Sequence, residues 1–163
     1  MLEIDFIKAD LTNEVHQAAV LAMLNCYASD AMGDGKPLSE YASSHLIEGL
    51  VRHPTTVIFL ATRDTMPCGI AICFRGFSTF AAKPLINIHD FYVAAEVRGQ
   101  GVGRALLDAV ENEARATGCC KLTLEVQENN SRARSIYDRF GFAQAVYAAD
   151  AGGALFMSKP LRP

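Results

Sequence analysis

Three glycines follow an arginine at close spacing in the middle of the chain, in the run Arg98-Gly99-Gln100-Gly101-Val102-Gly103. An apolar stretch typical of a strand comes before this run, and apolar residues at helical spacing follow it. The first N–H groups of a helix have no acceptor within the helix, and the helix dipole adds positive character there. Glycines let those amides approach a bound phosphate without a Cβ in the way. The run is therefore predicted to bind a phosphate group.

The spacing of the glycines narrows the kind of phosphate ligand. A dinucleotide fingerprint needs Gly-x-Gly-x-x-Gly, and the third glycine here comes one residue early. A Walker A loop ends in Gly-Lys-Ser/Thr, whereas this run ends in Gly103-Arg104-Ala105, which disfavours a nucleotide phosphotransferase. The remaining pattern, Arg-x-x-Gly-x-Gly, resembles the acetyl-CoA loop of the GNAT acyltransferase superfamily.

A second pattern downstream strengthens this resemblance. The run Asn130-x-x-Ala133-x-x-x-Tyr137, followed by Gly141-Phe142, is similar to the other GNAT signature. It follows the glycine run with one predicted helix and one predicted strand between them. The resemblance spans residues 84–145, and the flanks match the superfamily by the order of their elements.

The resemblance implies acetyl-CoA as the acyl donor. Its pyrophosphate would bind the main-chain amides from Gly99 to Arg104. In GNAT proteins the central strand and the strand after it splay apart, here expected beyond Val93, and pantetheine then pairs with the exposed backbone as an added strand would. Asn130 would contact the pantetheine arm, cap its own helix, or do both. The residues expected to bind the cofactor are Phe91, Tyr92, Val93, Arg98, Gly99, Gln100, Gly101, Val102, Gly103, Arg104, Asn130, Ala133 and Tyr137.

Acetyl transfer to an amine requires a polarised thioester carbonyl, a deprotonated amine and a proton donor for the leaving thiolate. By the resemblance, the Val93 amide would donate to the carbonyl oxygen as negative charge grows on it. Tyr137 would be the general acid, because a phenol is a suitable proton donor to a nearby thiolate. A tyrosine packed beneath its helix is the structural alternative. His89 is the candidate general base, with a structural histidine as the alternative and Glu125 as the substitute base.

Acidic side chains supply the candidate contacts to a substrate ammonium, namely Asp34, Asp90 and Glu125. The strand end Asp90-Phe91-Tyr92-Val93 is most similar to the diamine and spermidine/spermine acetyltransferase branch, but His89 stands where that branch has glutamate. Regular strand alternation predicts His89 and Asp90 on opposite faces, so that only one faces the acceptor. Asp34 lies in the link between the first two predicted helices, and a solvated turn residue is the alternative there.

These features predict an acetyl-CoA-dependent N-acetyltransferase in which a free primary amine attacks the thioester directly. The expected acceptor is a small polyamine, diamine or amino-acid-like molecule. A protein or peptide acceptor is the nearest alternative, and a CoA-binding module without turnover is the alternative of another class. By the resemblance, a homodimer is expected.

Composition limits the possible partners and the location. The net charge of −3 favours neither nucleic acid nor an anionic membrane surface as a partner. The five cysteines are irregularly spaced, so neither a disulfide framework nor a metal site is predicted. The acidic, alternating start does not match a signal peptide, and no apolar run is long enough for a membrane span. A cytoplasmic protein is expected.

The elements predicted to position these residues form a single GNAT domain over residues 1–163. The expected fold is mixed α/β, with a mostly antiparallel, twisted sheet of about seven strands, about four helices and one splayed strand pair. Asp10 or Thr12 is expected to cap the first helix and Ser39 the second. Residues 77–84 are predicted as a loop, and residues 142–148 and 154–158 as a closing hairpin.

Overall fold

Residues 3–161, the part of the chain that the computed structural model describes, contain a mixed sheet of five strands. Strand order in the sheet follows the order in the chain. The first four strands are antiparallel neighbours, and the fifth pairs parallel to the fourth. The strands are β1 (Ile4–Lys8), β2 (Thr56–Arg63), β3 (Met66–Ser78), β4 (Lys83–Val93) and β5 (Leu122–Leu124).

Four α-helices accompany the strands within the same residues: α1 (Glu14–Ser29), α2 (Glu40–Arg52), α3 (Val102–Ala116) and α4 (Ser131–Phe140). The side chain of Ser39 accepts from the amide of Ala42 and begins α2, as predicted. The expected caps of α1 are wrong, because Asn13 accepts from the amide of Val15 and begins that helix. Asp10 instead accepts from the amide and hydroxyl of Thr12 in the turn before it.

The sheet buries a different layer of helix on each face. On one face, α1 and α2 pack through Val20, Met23 and Leu50 against an apolar cluster that includes Ile70 and Ile72 of β3. We call this the α1/α2 face. On the other face lies α3, whose Leu106 approaches Gly69 of β3 so closely that a Cβ there would lie 3.0 Å from Leu106 Cδ1. We call this the α3 face.

The chain divides into two compact units, one ending at Leu124 and the other beginning at Glu125. The first unit contains the five-stranded sheet with α1, α2 and α3, and the second contains α4. The single domain over residues 1–163 stays a prediction. No helix within residues 3–161 is long and apolar enough to cross a membrane.

The mixed α/β fold class is confirmed, but the strand count is five in the described residues and not seven. The predicted loop at residues 77–84 is wrong, because β3 continues to Ser78 and β4 begins at Lys83, with only a short turn between them. The predicted closing hairpin forms no strands; its two halves share one backbone hydrogen bond, from Ala154 N to Ala145 O at 2.7 Å. An isolated two-stranded hairpin has little stability of its own, because it buries few side chains.

Candidate active site

A β-bulge interrupts β4 at His89. In the ladder between β3 and β4, Ile72 lies opposite Asp90, but the next residue, Cys73, lies opposite Ile88. His89 is therefore an extra residue with no partner in the β3 register. Such bulges re-aim side chains and are frequent next to active sites.

The bulge brings His89 and Asp90 to the same face of the sheet. Asp90 lies opposite Ile72, a core residue of the α1/α2 face. The His89 ring contacts the ring of Phe74, which packs on that face as well, with the centroids 5.3 Å apart. The prediction that strand alternation separates His89 and Asp90 is therefore wrong, because the extra residue reverses the alternation at this point.

Partial burial and charge act in opposite directions on Asp90. Desolvation raises the pKa of this carboxyl group above its usual range, and the positive charge of His89 lowers it again. Asp90 also acts on Tyr27 of α1, whose pKa is raised by burial first and then by the negative charges of Asp90 and Asp30. The Tyr27 phenol therefore lies within electrostatic reach of both acids.

The backbone of Val93 points away from β3. Ala94 N donates to Cys68 O at 2.9 Å, which makes that pair a hydrogen-bonded one. Successive residues of an antiparallel ladder alternate between facing the partner strand and facing away, so the N–H and C=O of Val93 face the other side of β4. On that side, pairing with β5 ends at Ile88, five residues before β4 ends. The parting of the strands therefore begins earlier than the expected point beyond Val93.

The glycine run forms a tight turn directly in front of α3. Gly99 and Gly101 have φ values of 80° and 86°, in the left-handed region that glycine adopts without strain. Gly101 is the N-cap of α3, and the first main-chain bond of the helix runs from Ala105 N to Gly101 O at 3.0 Å. The amides of Val102 and Gly103 precede that bond, which is the arrangement that binds anions at helix starts.

The start of α3 lies against the end of β4. A Cβ at Gly103 would lie 3.7 Å from the Phe91 ring and 3.7 Å from Val93 Cγ2. The helix start and the outward-facing Val93 amide therefore belong to one local structure. These features fit a ligand that combines a pyrophosphate with an extended, amide-containing arm.

The two arginines expected to bind the cofactor each have a protein partner. Arg98 donates from Nε to Val93 O and from Nη2 to Asp30 Oδ2, both at 2.8 Å. Arg104 pairs with Asp108 one turn along α3, with 3.2 Å between Nε and Oδ1. Between them, Gln100 donates from its side chain to Glu96 O at 3.0 Å.

The second unit carries the other signature by itself. Asn130 caps α4, and its Oδ1 accepts from the amide of Ala133 at 3.1 Å. Tyr137 is 8% exposed and packs edge to face on Phe142, with the ring centroids 5.8 Å apart. Glu125, the predicted substitute base, is exposed at the start of this unit.

Asp34 is exposed in the segment between α1 and α2. Sequence reasoning missed two residues near the beginning of that segment, Tyr27 in the last turn of α1 and Asp30 directly after the helix. Asp30 follows the end of α1, and its Oδ1 accepts from the amide of Met32 at 3.0 Å. An aspartate two residues before such an amide, with a glycine shortly after, is the signal of an Asx turn that could have drawn attention to it.

The family is shown by comparison with known proteins. The family model described as "Acetyltransferase (GNAT) family" matches residues 20–142. The chain belongs to the GNAT acetyltransferase family.

Three relatives illustrate the range of this similarity. An uncharacterized N-acetyltransferase of Bacillus subtilis (strain 168), YhfO, is 29% identical over 133 residues, which cover 78% of this chain and 83% of the relative. The streptothricin acetyltransferase of Streptomyces lavendulae is 37% identical over 53% of this chain and 50% of the relative. The bovine thialysine N-epsilon-acetyltransferase is 35% identical over 46% of this chain and 45% of the relative. The matches to the last two thus span about half of each relative or less.

Solved structures share the fold. A crystal structure of a probable acetyltransferase superposes with a TM-score of 0.78 at 23% identity, covering 96% of this chain and 99% of the other. The aminoglycoside N-acetyltransferase AAC(6')-Iy, solved in complex with CoA, superposes with a TM-score of 0.74 at 16% identity, covering 98% and 96%. At these identities the likeness concerns the fold alone.

Proposed function

We propose that this protein transfers the acetyl group of acetyl-CoA to the primary amine of a small molecule. Family membership supports the acyl donor and the reaction class. The observation that carries the proposal is the end of β4, where the Val93 amide faces away from β3 directly before a glycine turn and a helix start. Homodimerisation and a cytoplasmic location stay predictions.

In this proposal the main chain binds the acyl donor, acetyl-CoA. The amides at the start of α3 bind the pyrophosphate, since they precede the first internal bond of the helix. The outward-facing backbone of β4 receives the pantetheine arm. Acetyl-CoA supplies an activated thioester, and the Val93 N–H stabilises the negative charge that develops on its carbonyl oxygen.

His89 is the proposed general base. Its side chain shares the α1/α2 face with Asp90, close enough that the charge of His89 lowers the pKa of that carboxyl group. An imidazole at this place can take a proton from an ammonium. Asp90 and Tyr27, on whose pKa the charge of Asp90 acts, would also attract the cationic acceptor. Glu125 and Asp34 keep their proposed roles as a substitute base and an ammonium contact.

Tyr137 is the proposed general acid for the leaving thiolate. The proposal rests on its place in the second signature and on a ring position fixed by Phe142. A phenol held in one orientation can donate without the entropic cost of ordering it.

A thiol-release assay tests the function. We expect purified protein with acetyl-CoA to release CoA thiol in the presence of at least one amine from a panel of thialysine, spermidine, streptothricin and an aminoglycoside. The Tyr137→Phe variant should turn over the same amine at least roughly tenfold more slowly, with a smaller loss of CoA affinity, because it removes the proton donor and keeps the aromatic ring.

The other outcomes separate the alternatives. Release with lysine-containing peptides alone would favour a protein acetyltransferase. Tight binding of CoA without release for any acceptor would favour a binding module. Failure to bind CoA at all, measured by calorimetry, would overturn the proposal.

A further inference from the structure

Arg98 joins the end of β4 to the segment just after α1, which lies 68 residues away in sequence. Its Nε donates to Val93 O at the end of β4, and its Nη2 donates to Asp30 Oδ2 just after α1. Its guanidinium also lies over the ring of Tyr92, with Cζ 5.5 Å from the ring centroid. A lysine could not make these contacts together, because the planar guanidinium presents donors in two directions at once.

Asp30 extends this connection into the segment between α1 and α2. While one carboxylate oxygen accepts from Arg98, the other accepts from the amide of Met32, and Gly33 N donates to the carbonyl of Asp30 at 2.9 Å. The hydrogen bonds from the Met32 amide and from Arg98 both lower the pKa of Asp30, and the Met32 amide is the larger cause. The carboxylate thus shapes the turn and holds the arginine.

The Arg98–Asp30 pair is more sheltered than an ordinary surface pair. Its side chains are 28% and 21% exposed, against 78% and 56% for Arg52 and Glu48 on α2. A sheltered, hydrogen-bonded pair restricts motion more than an exposed one, which solvent screens.

The contact at Val93 lies beside the proposed reaction centre. The C=O of a strand residue points to the same side as its own N–H, so the Arg98 contact to Val93 O lies next to the amide assigned to the thioester. The N–H of Val93 belongs to the peptide group before its Cα, and the C=O belongs to the peptide group after it. Fixing the second peptide group limits the rotation of the first. Small displacements of a group that stabilises a transition state lower the rate strongly.

We propose that Arg98 is a positioning residue that fixes the direction of the Val93 amide and ties the α1–α2 segment to it, in place of the cofactor contact expected from the sequence. This inference rests on the proposed acetyl transfer. Arg98 then joins the segment following α1 to the end of β4, where the bond from Ala94 N to Cys68 O holds the same peptide group against β3.

The test compares Arg98→Lys and Asp30→Asn with the matched control Arg52→Lys. With the panel amine that wild type turns over fastest, Arg98→Lys should lower kcat roughly tenfold or more, while its Kd for CoA stays within about twofold. Asp30→Asn retains the Val93 contact and should lower kcat less. Arg52→Lys should change neither quantity.

A second readout does not depend on turnover. Amide hydrogen exchange, measured in the presence and absence of CoA, should be faster at Met32 and Gly33 in both Arg98→Lys and Asp30→Asn, and unchanged in Arg52→Lys. The NMR resonance of the Val93 amide should shift in Arg98→Lys.

Each contrary result has a distinct meaning. A large rise in the CoA Kd of Arg98→Lys at unchanged kcat would make Arg98 a phosphate ligand and overturn the inference. Unchanged exchange at Met32 and Gly33 would overturn it too, even if no amine were turned over and the proposed function failed separately. If Arg98→Lys does not fold, Asp30→Asn decides by the same exchange measurement.

Discussion

At the scale of single residues, the most informative feature is the pairing of a base and an acid across the bulge in β4. His89 and Asp90 are adjacent in sequence, and in a regular strand they would lie on opposite faces. The extra residue places both on the α1/α2 face. Burial raises the pKa of the Asp90 carboxyl group, and the charge of the neighbouring His89 imidazole lowers it.

The pH profile of turnover tests this pair. His89→Ala should remove the rising limb of kcat/KM, because no base remains to take the proton from the amine. Asp90→Asn should keep that limb, because the imidazole remains, and should raise the KM for the amine, since it removes a carboxylate proposed to attract the ammonium. Rates measured from pH 5 to 9 distinguish the two, and an unaltered limb in His89→Ala would transfer the role to another group such as Glu125.

The Asp90→Asn substitution also affects the stability of the fold. Because burial raises the pKa of Asp90 in the folded state, its favourable contribution is complete below the unfolded pKa and is lost as pH rises through the folded value. Asp90→Asn should therefore melt no lower than wild type at neutral pH. The cost of keeping this acid is consistent with a functional role.

At the scale of elements, the turn from β4 into α3 depends on glycine for two separable reasons. One is backbone conformation, since Gly101 has a φ of 86°. The other is access to the amides at the helix start, where a side chain would project beside the ligand. The opposite end of α3 offers a control, because Gly118 has a φ of 71° and neither glycine has an atom within 4 Å of an added Cβ.

Alanine at each glycine separates conformation from binding. Gly101→Ala and Gly118→Ala should both lower the free energy of unfolding by about 1–2 kcal/mol, the cost of a left-handed alanine. Only Gly101→Ala should also raise the Kd for CoA, by roughly tenfold, in calorimetric titration. Equal CoA affinity in the two variants would remove the phosphate assignment from this turn.

The elements that the sequence predicts well are those with local signals. Ser39 begins α2, Gly118 follows α3, and Asn130 and Gly141 bound α4, because capping groups act within one turn of the helix.

The bulge at His89 has no such signal, since it depends on the register against β3, which is set by packing of both faces. The Arg98–Asp30 contact escaped prediction for a related reason: the partners are 68 residues apart. The two segments predicted as a closing hairpin flank a turn at residues 150–153, and a local turn signal does not supply the packing that a strand pair needs.

At the scale of the whole molecule, each compact unit carries one of the two signatures, and the first unit is secured by a charge cluster on its α3 face. Glu113 of α3 pairs with Lys8 of β1 at 2.8 Å and with Arg75 of β3. These contacts lower the pKa of Glu113, with the Lys8 hydrogen bond as the largest cause. One carboxylate thus connects a helix to two non-adjacent strands.

Glu113→Gln should lower the free energy of unfolding by about 1–2 kcal/mol at neutral pH, because it leaves two cations without their shared anion. Since the pKa of Glu113 is lowered, its contribution is present above the unfolded pKa and is lost as pH falls through the folded value. The difference from wild type should therefore shrink below about pH 4. Urea unfolding at pH 7 and pH 3.5 measures this, with Glu111→Gln as the control. A difference that persisted undiminished at pH 3.5 would argue against the charge as its cause.

The extra residue in β4 also governs how this strand can be exchanged with others. If an unbulged segment of equal length replaced residues 87–93, every side chain after the former irregularity would change sides. Tyr92 would turn into the layer of α3, and Phe91 and Val93 would turn toward α1. Removing His89 alone would instead leave the flanking residues in place, since the remaining chain already alternates correctly. When this strand is grafted between members of the family, the number of residues should first be matched as odd or even. Matching the amino-acid composition of the strand comes second.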